Sequence, residues 1–94
     1  MDPIHIHAQD TLTYLETHIA HLAASPSVEN ITKLLNFVDN ANVAIRKKLC
    51  QQLYLLSQEV AGEKEQKLLK QGLNLLQKDN NPVIRLYLAQ LTRK

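Results

Sequence analysis

What the chain has little of narrows its fold before any pattern is read. It holds a single cysteine, Cys50, so no disulfide can form within it, and a reducing compartment is the expected setting. With two glycines, three prolines, no tryptophan and four aromatics (Tyr14, Phe37, Tyr54 and Tyr87), it is poor in the turn glycines and strand-forming runs of a β protein. No stretch approaches the roughly 18 consecutive apolar residues of a membrane span. Met1-Asp2-Pro3 also lacks the basic start and apolar run of a secretion signal, so a cytoplasmic location without a membrane partner is expected. What is present is 94 residues, 45% apolar and 21% charged, with a net charge of +2. That describes one soluble globular domain of all-α class. A chain this short buries only somewhat over half of its unfolded surface, so stability has to come from one well-packed core.

Helical periodicity runs through most of the sequence. Leu12, Leu15, Ile19 and Leu22 are spaced three, four and three apart, which puts them on one face of a first helix over about 8–24. Pro26 disfavours helical geometry at Ser25, and Ser25 or Ser27 can cap the next helix. Val28, Ile31, Leu34, Leu35 and Val38 predict that second helix, which Asp39-Asn40-Ala41-Asn42 ends by competing for backbone hydrogen bonds. Ile45, Leu49, Leu53, Leu56 and Val60 give a third helix from Val43, with Gly62 as its expected stop. A fourth helix over 63–78 carries Leu68, Leu69, Leu73, Leu75 and Leu76. Gly72 inside it costs about 1 kcal/mol relative to Ala and so implies close approach of a neighbour. Asp79-Asn80-Asn81-Pro82 is a turn with Pro82 suited to the first position of a fifth helix, whose stripe is Ile84, Tyr87, Leu88 and Leu91.

Shifting the chain by 39 residues against itself superposes more than the apolar period. Leu34 falls on Leu73, Phe37 on Leu76, Asn42 on Asn81, Ile45 on Ile84, Arg46 on Arg85, Leu49 on Leu88 and Gln51 on Gln90. Each unit is an apolar helix, an Asp/Asn turn, then an aliphatic residue and arginine opening the next helix. This order resembles the HEAT family of helical repeats, whose second helix opens after an Asp-containing turn with proline, valine or isoleucine, then arginine. Residues 78–85 (KDNNPVIR) carry that pattern, while residues 39–46 (DNANVAIR) have Val43 where the proline would stand. The resemblance spans about Val28 to Leu91. It implies a five-helix right-handed α-α superhelix: an N-terminal arm (1–7), a capping helix (8–24) and two repeat-like hairpins (28–60 and 63–92). It also implies structural roles for Asp79 and Asn80, as caps, and for Arg46 and Arg85, which would span toward neighbouring turns. Two repeats are fewer than the three or so an independent solenoid needs, so the capping helix, self-association or a partner has to complete the core.

Candidate chemistry is sparse. His5, His7, His18 and His21 cluster within 21 residues, and imidazole is a common metal ligand, yet no thiolate or carboxylate set completes a site, and solvent-facing residues are the simpler expectation. Cys50 has no histidine at helical spacing to serve as its base and reads as a small buried hydrophobe, although Arg46, Lys47 and Lys48 would lower its pKa were it exposed. No glycine-rich phosphate loop, paired carboxylates or serine–histidine arrangement is present, so neither enzyme nor small-molecule substrate nor cofactor is expected.

Charge is the strongest functional hint. Residues 1–45 hold one base against five acids, a balance of −4, and residues 46–94 hold ten bases against four acids, a balance of +6. The expected role is a non-catalytic protein-interaction module, adaptor or regulator. In stacked helical pairs the second helix of each unit lines the concave binding side, which by the resemblance nominates Lys47, Lys48, Gln51, Gln52, Gln58, Gln90 and Arg93. The alternative is a nucleic-acid binder using Arg46, Lys47, Lys48, Lys64, Lys67 and Lys70, which requires those six on one surface. No aromatic interleaves the fourth-helix lysines for base stacking.

Overall fold

The computed structural model describes residues 8–93, and every regular element within them is an α-helix: α1 (Ala8–Ala24), α2 (Val28–Leu35), α3 (Val43–Glu59), α4 (Glu63–Gln77) and α5 (Pro82–Thr92). Local chemistry sets the boundaries. Of the two candidate serines, Ser27 caps α2: its backbone is extended and its hydroxyl accepts the Asn30 N–H at 3.1 Å. The Asn30 side chain reaches back to the Ser25 carbonyl at 2.7 Å and ties the joint between α1 and α2. Pro82 occupies the first turn of α5, where its missing N–H costs nothing.

Two boundaries differ from the periodicity. The apolar spacing carries α2 to Val38, but the helix ends at Leu35, and the N–H groups of Asn36, Phe37 and Val38 bond carbonyls only three residues back. This tighter winding keeps Phe37 and Val38 half-buried against the core after the helix has ended, so the stripe outlasts the helix. Gly62, expected to stop α3, instead forms the N-cap of α4 with an ordinary φ of −63°, and Val60 closes α3. The Glu65 carboxylate folds over the space where a Cβ at Gly62 would sit. Gln66 then donates to the carbonyls of Ser57 and Val60, supplying partners for the last turn of α3.

α3 is the hub, packing on α1, α4 and α5; α2 packs on α1 and α4, and α4 also packs on α5. The pattern is two rows, α1–α3–α5 over α2–α4, with α2 and α3 not among the closely packed pairs of the described residues. The smallest dimension, 20 Å, is the thickness of two helices. Ile19, Ile31, Leu34, Ile45, Leu49, Leu53, Leu69, Leu76, Ile84 and Leu88 are buried between the rows. Each such side chain contributes roughly 1.5–3 kcal/mol on leaving water. Gly72 marks the tightest point, because Leu35 from α2 and Leu53 from α3 both lie where its Cβ would project. The close approach implied by that glycine is therefore made by two leucines on two different helices.

Candidate functional site

The two Asn-rich turns build the same hydrogen-bonded frame. In the first, Asn40 Oδ1 accepts the Asn42 N–H at 2.9 Å, Asn42 Oδ1 caps α3 through the Ala44 N–H at 2.8 Å, and Arg46 Nη1 donates to the Asn40 carbonyl at 2.6 Å. In the second, Asp79 Oδ1 accepts the Asn81 N–H at 2.8 Å, Asn81 Oδ1 caps α5 through the Val83 N–H at 2.8 Å, and Arg85 Nη1 donates to the Asp79 carbonyl at 2.5 Å. The capping residues are thus Asn42 and Asn81 rather than Asp79 and Asn80. Asn80 is exposed, and Asp79 stands two residues before the cap as an Asx turn.

Arg46 does more than close its own turn. Its Nε and Nη2 grip Asp79 Oδ2 and Oδ1 at 2.7 and 3.1 Å, a bidentate bridge 33 residues long in sequence whose side chains are 10% and 7% exposed. Burial pushes the Asp79 carboxyl up. The Arg46 hydrogen bond, the Asn81 N–H and the charges of Arg46 and Arg85 outweigh that and hold it below the usual carboxylate range. One turn along α3, Cys50 is fully buried, and desolvation first, with the Asp79 charge second, raises its thiol to about 11 against smaller opposing effects of its backbone hydrogen bond and Arg46. At neutral pH it is a protonated apolar filler.

The outer side of the α1–α3–α5 row carries a shallow depression lined by Glu16 of α1, Ala44, Lys47, Lys48 and Gln51 of α3, and Tyr87 of α5. A second, lined by Thr13, Glu16, Thr17, Ala20 and Lys48, adjoins it through the shared Glu16 and Lys48. The Lys47 ammonium lies 4.9 Å from the centre of the Tyr87 ring, a cation–π contact between α3 and α5. Of the residues nominated for partner binding, Lys47, Lys48 and Gln51 meet here. Gln52 is half-buried, Gln58 is exposed with its amide on the Ser57 hydroxyl, and Gln90 and Arg93 are exposed on and just after α5. Glu16 and Tyr87 complete the depression without having been nominated, because they lie on helices far apart in sequence; Tyr87 reads as core from its stripe alone.

The six residues of the nucleic-acid alternative fall in separate places. Arg46 is buried in its bridge to Asp79, and Lys47 and Lys48 share the depression beside Tyr87. Lys67 and Lys70 line a different depression, along α4 and its C-cap, with Gln71, Asn74, Leu75 and Lys78, while Lys64 is exposed on the first turn of that helix.

On α1, the ring of Tyr14 stacks on His18 at 6.3 Å, and His18 meets Phe37 edge-on at 6.2 Å. His18 and His21 are exposed, and His5 and His7 lie outside the described residues. Among the described residues no group of three or more His, Cys, Asp or Glu side chains could hold a metal ion, and no helix is long and apolar enough to cross a membrane. In comparisons with known proteins the chain has no significant match to a family model, a curated protein or a solved structure.

Proposed function

We propose that the chain is a small non-catalytic interaction module: two HEAT-like repeats preceded by a capping helix, presenting a rigid helical face to a protein partner. The observation that carries this reading is the duplicated turn. Side chains at matching positions (Asn40 and Asp79, Asn42 and Asn81, Arg46 and Arg85) make matching hydrogen bonds 39 residues apart, and α2 packs on α4 and α3 on α5 as units in register would. The Arg46–Asp79 bridge then locks one unit to the next, and α1 supplies the apolar cover that two repeats lack. The face nominated for the partner is the α1–α3–α5 side around Lys47, Lys48, Gln51 and Tyr87, where apolar ring, amide and both signs of charge meet as they do at the rim of protein interfaces. The separation of the basic residues weighs against the nucleic-acid alternative.

The test is affinity capture from native lysate with tagged protein, at low and high salt and with nuclease, alongside a Lys48→Glu, Gln51→Arg variant. Recovery of a defined protein in high salt with nuclease present, and its loss with the variant, is the expected result. Recovery of nucleic acid alone would overturn the reading.

A further inference from the structure

The two arginines of the duplicated turn differ in one respect, and that difference points to a binding site. Arg46 uses Nη1 to close its own turn and its Nε/Nη2 edge to hold a carboxylate delivered by the second turn. Arg85 closes its own turn through Nη1 in the same way, on the matching carbonyl of Asp79, yet it is exposed and, although its charge acts on the Asp79 carboxyl, no carboxylate among the described residues lies within salt-bridge distance of it.

Other positions of the second unit have changed in the same sense. The 39-residue shift maps buried Ile31 of α2 onto exposed Lys70 of α4, and buried Cys50 and Leu53 of α3 onto exposed Ala89 and Thr92 of α5. An edge that is apolar and covered in the first unit is thus polar and basic in the second. Lys78 stands directly before the turn whose carbonyl anchors Arg85. Asp79, the acid nearest this edge, is already neutralised by Arg46.

We propose that this α4–α5 edge is a carboxylate-docking site for a protein partner. In it, Arg85 takes an Asp or Glu presented from a turn, in the bidentate manner in which Arg46 takes Asp79, and Lys70 and Lys78 supply charge complementarity. The inference rests on the interaction-module reading and adds to it the chemistry of the partner. Arginine is suited to the task because its planar fork matches both oxygens of a carboxylate, which an ammonium cannot do. A second copy of this chain offers no free acid at the position equivalent to Asp79, since Asp79 is occupied and the matching position of the first turn is the neutral Asn40; the exposed acid of that turn, Asp39, stands one residue out of register. An apolar repeat is equally poor, since the edge offers Lys70, Ala89 and Thr92 where a stacking unit needs aliphatic side chains.

The full chain, isotope-labelled for NMR, is titrated with a synthetic peptide copying residues 76–84, which carries the Asp79 turn and stops before Arg85, and with its Asp79→Asn form. The expected result is perturbation of the Arg85 Nε–H and of Lys70, Lys78 and Ala89, with affinity at least about tenfold lower for the Asn peptide and for Arg85→Gln. Arg85→Lys should recover only a small part, because the charge returns without the fork. Equal binding of both peptides, shifts confined to the Tyr87 face, or no response at the highest soluble peptide concentration would each overturn the proposal. So would full rescue by lysine, or a stronger response to a single-stranded oligonucleotide, either of which marks a generic polyanion surface. A partner captured through Lys48 and Gln51 whose binding is unchanged by Arg85→Gln would overturn this inference alone and leave the interaction-module reading standing.

Discussion

The turn before α3 and the turn before α5 share their hydrogen bonds but not their burial. In the first, Arg46 is 8% exposed and joined to a carboxylate 33 residues away; in the second, Arg85 is exposed and, among the described residues, hydrogen-bonded only to its own turn. The same local motif therefore serves two ends. Where a unit of the described residues packs against it the frame becomes a cross-link, and where none of them does the matching frame starts a helix. The acidic partner obeys the same logic. Position 79 is an aspartate because an arginine from α3 arrives there, while α1 contains no lysine or arginine, and the matching position 40 is the neutral asparagine.

The sharpest way to break this comparison is to truncate each arginine in turn. Arg46→Ala leaves Asp79 nearly buried and unpaired and should cost about 3 kcal/mol, or roughly 15 °C in Tm for a domain of this size, read by thermal and urea unfolding. Restoring neutrality with Arg46→Met and Asp79→Asn together should recover part of that loss, since an unpaired buried charge costs more than an absent pair. Because the Asp79 pKa is depressed in the folded chain, its stabilisation is present above the ordinary carboxylate value and is lost as pH falls through the depressed one. The advantage of the native protein over Asp79→Asn should accordingly be full at neutral pH and shrink below about pH 4.

Next in size is Gly72→Val, which forces Leu35 and Leu53 off the α4 backbone. It should cost about 2 kcal/mol despite the better helix propensity of the new residue. The caps should behave alike: Asn42→Ala and Asn81→Ala should each cost about 1 kcal/mol in urea unfolding, because both accept one N–H at the same distance. Unequal losses would show that the turns are not equivalent. Smallest of all, Arg85→Ala should change stability by less than about 0.5 kcal/mol, as expected for an exposed side chain.

Several of these features are legible in the amino-acid order, and the reasons for the exceptions are physical. Ser27 and Pro82 act within two or three residues of themselves, so their effect on helix starts is written locally, whereas Asp79 and Asn80 read as caps as readily as Asn81, and only the hydrogen bonds assign the caps to Asn42 and Asn81. The end of α2 is not legible, because Phe37 and Val38 keep their apolar role after the chain has wound into a tighter turn, and side-chain spacing does not distinguish the two windings. Gly62 reads as a helix stop by residue type alone; only the Glu65 side chain lying across it explains its place at a helix start. Glu16, Lys48 and Tyr87 form one depression across three helices, and no spacing along the chain relates them. The exposed state of Arg85 against its buried counterpart Arg46 is of the same kind, since both arginines close their own turns by the same hydrogen bond and the packed neighbour sets their burial.

Cys50 gives the molecule a built-in clock. It is the sole thiol of the chain, sealed at 0% exposure one turn from the Arg46 bridge and kept protonated at neutral pH. An alkylating reagent can reach it only when α3 parts from its neighbours, so the rate of modification counts those openings. Loosening the bridge should speed the reaction, and the cysteine would then time the breathing of the seam between the units without any added probe.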